Sequence, residues 1–334
     1  MAEKLHVSDS NKGHWVDWTV GMLNGAVGDY LRDQQNGLAI DMAFYVHNRP
    51  LALTRENILR HHPQPSAKLC ILVHGLSCTE SIWSFRHPLQ PDHDTSYGEL
   101  LQVDRGYTPF YVRYNTGLAV AENGKRLATL LDELALSYPT PIKEITLIGH
   151  SMGGLVLRSA CHYAGQHHES WVLKVRRVFY LSTPHDGAEL EQLAHATEMA
   201  LSTVPNSVTT LVGKVFKLRS QGIKDLRFGT LLEPDVMDDG WDDRIHHHRR
   251  SVPWLPHAQH YLIGGTLKAD PQHAMNLIFG DGLGAAPRPS GSPPGGSDRP
   301  IPAENVRVFA GLHHLRLAHD GDVYQQIKAW CEKS

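Results

Sequence analysis

Short runs rich in β-branched, aromatic and other apolar residues recur along the 334-residue chain, at residues 40–47, 68–75, 109–114, 144–149, 176–182, 259–265 and 306–311. Several are apolar throughout instead of alternating with polar residues, the pattern of strands buried on both faces. Between them, residues 117–138 place Leu127, Leu130, Leu131, Leu134 and Leu136 near helical spacing, and residues 152–163 can form a helix straight after Ser151. An N-terminal stretch sets Trp15, Trp18, Met22, Leu23, Ala26, Val27, Tyr30 and Leu31 at helical spacing. This alternation predicts an α/β fold, a mostly parallel sheet covered by helices on both faces, in a single domain over residues 1–334.

Two regions stand outside the alternation. Residues 188–256 read as an inserted helical lid, since Leu190, Leu193, Met199, Leu201, Val212, Val215, Phe216 and Leu218 recur on its helical patches. Residues 286–303 are rich in Pro, Gly and Ser and too poor in apolar residues to pack, which predicts a flexible surface loop. The N-terminal helix is expected to pack against the body. A transient contact with a membrane or lipid surface, or a share in an acyl pocket, is the alternative, and its thin cationic face argues against the membrane.

Composition changes this picture little. Hydrophobic residues make up 41% and charged residues 20%, ordinary for a soluble globular chain. With 32 basic against 35 acidic residues the formal charge is −3, so neither nucleic acid nor an anionic membrane is indicated as a partner. No apolar run reaches the roughly 20 residues of a membrane-spanning helix. The first fifteen residues lack the apolar centre of a secretory signal. Cys70, Cys78, Cys161 and Cys331 are scattered with no metal-binding spacing, which predicts reduced thiols in a cytoplasmic protein.

The chemistry is concentrated in residues 147–156, LIGHSMGGLV, where Ser151 stands between Gly149 and Gly153 at the end of an apolar run. A strand, then Gly-x-Ser-x-Gly, then a helix is the setting of a nucleophile elbow. The turn lifts the serine hydroxyl above the strand ends and points a helix N-terminus at it, useful where an oxyanion develops. A serine needs a base to remove its proton, and the base needs an acid to orient it. The last apolar run leads into His313, His314 and His319, with His314 the chosen base. Asp281, flanked by glycines, is the preferred acid, with Asp270 and Asp186 as alternatives. One oxyanion-hole N–H is expected from Met152 and the other from Leu76, in the loop after residues 68–75, with His74 bracing that loop. His185 reads as structural. His246, His247 and His248 cluster near several carboxylates, but adjacent histidines seldom converge on one ion, so no metal is expected.

With these segments in order, the chain resembles the α/β-hydrolase superfamily, and more narrowly the bacterial lipase-like serine hydrolases related to triacylglycerol lipases and GPI inositol-deacylases. The resemblance covers most of the chain and rests on residues 72–83, 111–128, 147–163, 180–193, 219–232 and 311–330. It implies a nucleophile at Ser151 and oxyanion donors at Leu76 and Met152. The pattern His-Leu-x-Leu in such enzymes matches His314–Leu317 and disfavours His313, while their Asp-Gly-Leu-Val matches Asp281-Gly282-Leu283, with Gly284 where valine is common. It implies hydrolysis of a small-molecule or lipid ester through an acyl-enzyme, without a cofactor. An acyltransferase or thioesterase on the same triad, or an inactive binding protein, would share these segments.

Overall fold

The computed structural model describes residues 9–87, 90–185, 220–233, 252–266 and 301–332. A helix α1 (Asp9–Asp33) precedes the short strands β1 (Ala43–Val46) and β2 (Arg49–Pro50), helix α2 (Arg55–His61) and strand β3 (Lys68–Val73). A small hairpin, β4 (Ser84–His87) and β5 (Gln90–Ser96), leads to α3 (Tyr97–Arg105), β6 (Thr108–Arg113), α4 (Val120–Ser137), β7 (Glu144–His150), α5 (Met152–Gln166) and β8 (Val175–Leu181). Beyond these lie α6 (Gln221–Phe228), β9 (Gln259–Thr266), β10 (Val306–Ala310) and α7 (Gly321–Glu332).

Among the described residues one sheet has eight strands in the order β10-β9-β8-β7-β3-β6-β1-β2. The six strands from β10 to β6 are parallel, and β1 and β2 add an antiparallel edge. Each of the seven apolar runs forms a strand of this sheet.

The absence of alternation in those runs has a direct cause. In β3, Leu69, Ile71 and Val73 point into a core shared with α4 and α5, while Cys70 and Leu72 join a second core with α3 and α7. In β8, Val178 and Tyr180 face one layer and Phe179 and Leu181 the other. A strand with helices on both sides has no solvent face on which to place polar residues. All four cysteines are free thiols.

Two side chains depart from the helical pattern. Leu136 is 81% exposed, because it stands two residues past Leu134 and so points away from the stripe that buries Leu127, Leu130, Leu131 and Leu134. Tyr30 is 62% exposed, because α1 breaks at Val27 (φ −144°, ψ 24°), after which the helical face turns. The rest of α1 packs against the body through Met22, Ala26, Val27 and Leu31. Buried Asn24 donates to the Leu38 carbonyl at 2.8 Å and accepts from Ile40 N–H at 2.9 Å, and Asn115 donates to the Gly28 carbonyl at 2.8 Å.

Most of the expected lid, residues 188–219 and 234–251, lies outside the described residues, as does nearly all of the Pro-rich loop. The described part of the insertion is fastened to the body. Ser220 Oγ donates to the Gly25 carbonyl at 2.7 Å, Gln221 N–H to Asp29 at 2.9 Å, and Asp225 accepts from Val120 N–H at 2.9 Å.

Arg113, at the end of β6, ties α1 to the sheet. Its buried guanidinium bonds both Glu80 oxygens at 2.5 and 2.6 Å and Asp17 of α1 at 3.0 Å, contacts Asn48, and stacks 4.2 Å from the Tyr45 ring centre. Removing it strands two mostly buried carboxylates. Arg113→Ala is therefore expected to destabilise the fold by about 3 kcal/mol, read as a lower urea midpoint at unchanged slope. A midpoint equal to wild type would contradict this role.

Candidate active site

The end of β7, the start of α5 and the loop after β3 meet at Ser151. This serine is 6% exposed, with φ 54° and ψ −125°, a left-handed conformation that a side-chain-bearing residue adopts only under constraint. Its N–H donates to the Leu181 carbonyl at 2.8 Å and its carbonyl accepts from Gly154 N–H at 3.0 Å, so hydrogen bonds on both sides hold the turn. The flanking glycines are required by space. A Cβ at Gly149 would lie 2.6 Å from Gly154 Cα, and one at Gly153 would overlap the carbonyl oxygens of Val73 and His74.

Across the turn, a Cβ at Gly75 would lie 2.8 Å from Ser151 Cβ and 3.0 Å from His150 Nδ1. Leu76 follows, half-buried against the core. Met152 is fully buried at the first position of α5, where a backbone N–H has no intrahelical acceptor. The two residues expected to supply oxyanion donors thus adjoin residues in contact with Ser151.

His74 braces the loop, as expected. Its Nδ1–H donates to the Gly75 carbonyl at 3.0 Å, its ring stacks 4.5 Å from Tyr114, and the Tyr114 hydroxyl donates to the His74 carbonyl at 2.8 Å. Burial lowers its pKa to about 3, so it is neutral. Ser77 N–H donates to Thr116 Oγ1 at 3.1 Å, anchoring the next stretch of the loop.

His314 opens a 3₁₀ turn (His314–Ala318) just after β10. Its carbonyl accepts from His150 Nε2 at 3.0 Å, and the two rings lie 4.8 Å apart. Burial, and then the neighbouring His313, lower its pKa to about 4, which leaves the imidazole neutral at pH 7, the form a base requires. His319 is committed elsewhere, its Nδ1–H donating to the Ile82 carbonyl at 3.2 Å. Of the three candidate histidines, His314 is joined directly to the residue before Ser151. His185 is buried between Tyr180 and Trp254 and accepts from Arg158 at 3.2 Å, a packing role.

Asp281, Asp270, Asp186 and His246–His248 lie outside the described residues. Sequence reasoning passed over His150, whose only signal was its place between Gly149 and Ser151.

The sheet order and the turn at Ser151 are those of the α/β-hydrolase fold. Residues 63–221 match a family model described as "Putative serine esterase (DUF676)", which supports a serine hydrolase. No curated protein sequence matches the chain. Among solved structures, the chain is similar to a lipase-esterase related protein from Clostridium acetobutylicum, at 16% identity and TM-score 0.40 over 79% of this chain and 94% of that one. It is also similar to a lipase, BlEst2, from Bacillus licheniformis, at 19% identity and TM-score 0.43 over 80% and 94%. A third is the naproxen esterase of Bacillus subtilis, at 14% identity and TM-score 0.41 over 79% and 84%. The strand order and the turn at Ser151, rather than these likenesses, carry the fold assignment.

Two outcomes are expected. Gly75→Ala should push Ser151 and His150 apart from the loop and slow fluorophosphonate labelling of Ser151 by about 10²-fold, the scale of a 1 Å misplacement, and the overpacking should cost about 1–3 kcal/mol of stability. Labelling at the wild-type rate would contradict the packing described. The second concerns acid. His74, His314, His62 and His260 have pKa values lowered to about 3, 4, 4 and 4, and His150 lies well below its usual value, in each case mainly through burial. The unfolded chain, with histidines near 6.5, therefore binds more protons below that pH. Stability should be flat above about pH 7 and fall steadily from pH 6.5 to about 4. A melting temperature constant across that window would contradict the neutral, buried histidines.

Proposed function

We propose that the protein hydrolyses carboxylic esters, with Ser151 as nucleophile, His314 as general base and Asp281 as the acid that orients it. The observation that carries this reading is Ser151 held at φ 54° between a central parallel strand and a helix, with the His314 loop bonded to the preceding residue. As Ser151 Oγ attacks the ester carbonyl, His314 takes its proton, and the N–H groups of Leu76 and Met152 stabilise the oxyanion. Collapse of the tetrahedral intermediate expels the alcohol, protonated by His314, and leaves the acyl group on Ser151. Water, deprotonated by His314, then attacks the acyl-enzyme, and the carboxylic acid departs as Oγ recovers its proton. The reaction needs no cofactor, and its substrate is a small-molecule or lipid ester.

Fluorophosphonate labelling and an ester assay test this reading together. Wild type should label at Ser151, and Ser151→Ala should lose labelling and about 10⁶-fold in turnover, as when a triad acts as a unit. Labelling at another serine with turnover intact would refute the assignment.

The acid is tested separately. Asp281→Asn should lower kcat by about 10⁴-fold, since an amide favours the wrong imidazole tautomer. Asp270→Asn and Asp186→Asn should change turnover by less than about tenfold, as substitutions outside the machinery. A carboxylate beside His314 favours its protonated form, so its loss should also move the acid limb of kcat/KM to lower pH. Full activity in Asp281→Asn beside collapse in either other variant would relocate the acid.

A further inference from the structure

The ring of His150 lies between the His314 carbonyl, Gly75 and Trp83. His150 ends β7, is 1% exposed, and precedes Ser151 in the chain. Its Nε2 lies 3.0 Å from the carbonyl oxygen of His314, 164 residues away in sequence. A carbonyl can only accept, so Nε2 carries the proton and the ring is the neutral Nε2–H tautomer. Its Nδ1, which has no hydrogen-bond partner among the described residues, faces Gly75 of the loop after β3, where a Cβ would lie 3.0 Å away. The buried indole of Trp83 packs edge-on against the ring at 6.5 Å and 83°, closing the remaining side.

This packing leaves the ring one orientation. Rotating it by half a turn would put Cε1 where Nε2 stands and so remove the donor from the His314 carbonyl. Exchanging the tautomer would set the Nε2 lone pair against the carbonyl lone pairs. The bond to His314 is therefore fixed both by chemistry and by packing.

We propose that His150 is a positioning residue, whose Nε2–H bond to the His314 carbonyl sets the general base at the correct height and angle over the nucleophile. The inference rests on the assignment of Ser151 and His314 as nucleophile and base. His314 acts through its side chain, but a side chain inherits any shift of its backbone. The residue beside the nucleophile holds that backbone, so base and nucleophile move as one body. His150 touches no reacting atom and moves no proton.

Three substitutions separate this role from simple packing. A glutamine amide nitrogen can reach the place of ring Nε2, an asparagine amide nitrogen reaches only as far as Nδ1, and phenylalanine fills the space without a donor. With a p-nitrophenyl ester as substrate, His150→Gln should keep kcat within about fivefold of wild type, while His150→Asn and His150→Phe should lose about 10²-fold in kcat with KM nearly unchanged. The rate of fluorophosphonate labelling at Ser151 should follow the same order. Equal activity in the glutamine and phenylalanine variants, or a loss confined to KM, would overturn the proposal.

A wild-type measurement covers the case in which a variant does not fold. Nitrogen-15 spectra of histidine-labelled protein, with His150 assigned through its contact with the Trp83 indole, should show the Nε2–H tautomer from pH 5.5 to 8, and an Nδ1–H tautomer would overturn the proposal. Should wild type neither label at Ser151 nor turn over ester, the serine-hydrolase reading itself fails. Should it do both while the glutamine and phenylalanine variants behave alike, that reading stands and the role of His150 falls.

Discussion

The site depends on a backbone approach that leaves no room for side chains. The turn from β7 into α5 brings Gly149 against Gly154 and Gly153 against the carbonyl oxygens of Val73 and His74. Those neighbours are backbone of helix α5 and of the end of β3, which yields less readily than side chains, and Ser151 between them holds its left-handed conformation. The same closeness brings Gly75 against Ser151, so the loop that carries Leu76, the proposed oxyanion donor, is positioned by contact with the proposed nucleophile. Strain at one residue is held by the stiffness of the whole sheet. That is a way to keep a hydroxyl and two N–H donors in fixed relation before any substrate arrives.

Much of this was legible because the constraint writes itself into composition. Apolar runs without alternation announced strands covered on both faces, and Gly-x-Ser-x-Gly after such a run announced the turn. What escaped depended on geometry that local pattern does not encode. The hairpin of β4 and β5 is built from polar residues such as Arg86, Asp92 and Asp94, so it carries no hydrophobic period to detect. Helix α3 was readable in principle: Ser96 caps Glu99 N–H, Glu99 stands three residues on, and Gly106 ends the helix at φ 69°. Its nine residues are too short for a periodic signal to stand out. Tyr30 and Leu136 show the opposite failure, in which spacing suggested burial that a break in the helix or a two-residue offset removed.

The histidines around the site could not be sorted by sequence, since a chain with 23 of them offers many candidates. Their partners sort them. His74 spends its proton on the Gly75 carbonyl, His319 on Ile82 and His150 on His314, so each is held by one bond to a backbone oxygen. Burial keeps them neutral, so none of them adds a positive charge that would oppose protonation of the nearby His314 imidazole. Only a three-dimensional partner list distinguishes a brace from a base.

The position of β10 explains why the proposed base needs its own fastening. Ser151 and Leu76 follow β7 and β3, adjacent strands in the middle of the sheet with a neighbour on each side. His314 follows β10, which among the described residues is the outermost strand and pairs with β9 alone, and whose residues are partly or fully exposed. An edge strand with one ladder is held less firmly than a central one, so a loop at its end would drift relative to the nucleophile. The Tyr97 hydroxyl anchors that loop farther along, donating to the Leu317 and Asp320 carbonyls at 2.8 and 2.9 Å. His150 anchors it at His314 itself, from the strand that carries Ser151. The rigidity of the sheet's centre is thereby extended to the one catalytic candidate that the sheet places at its margin.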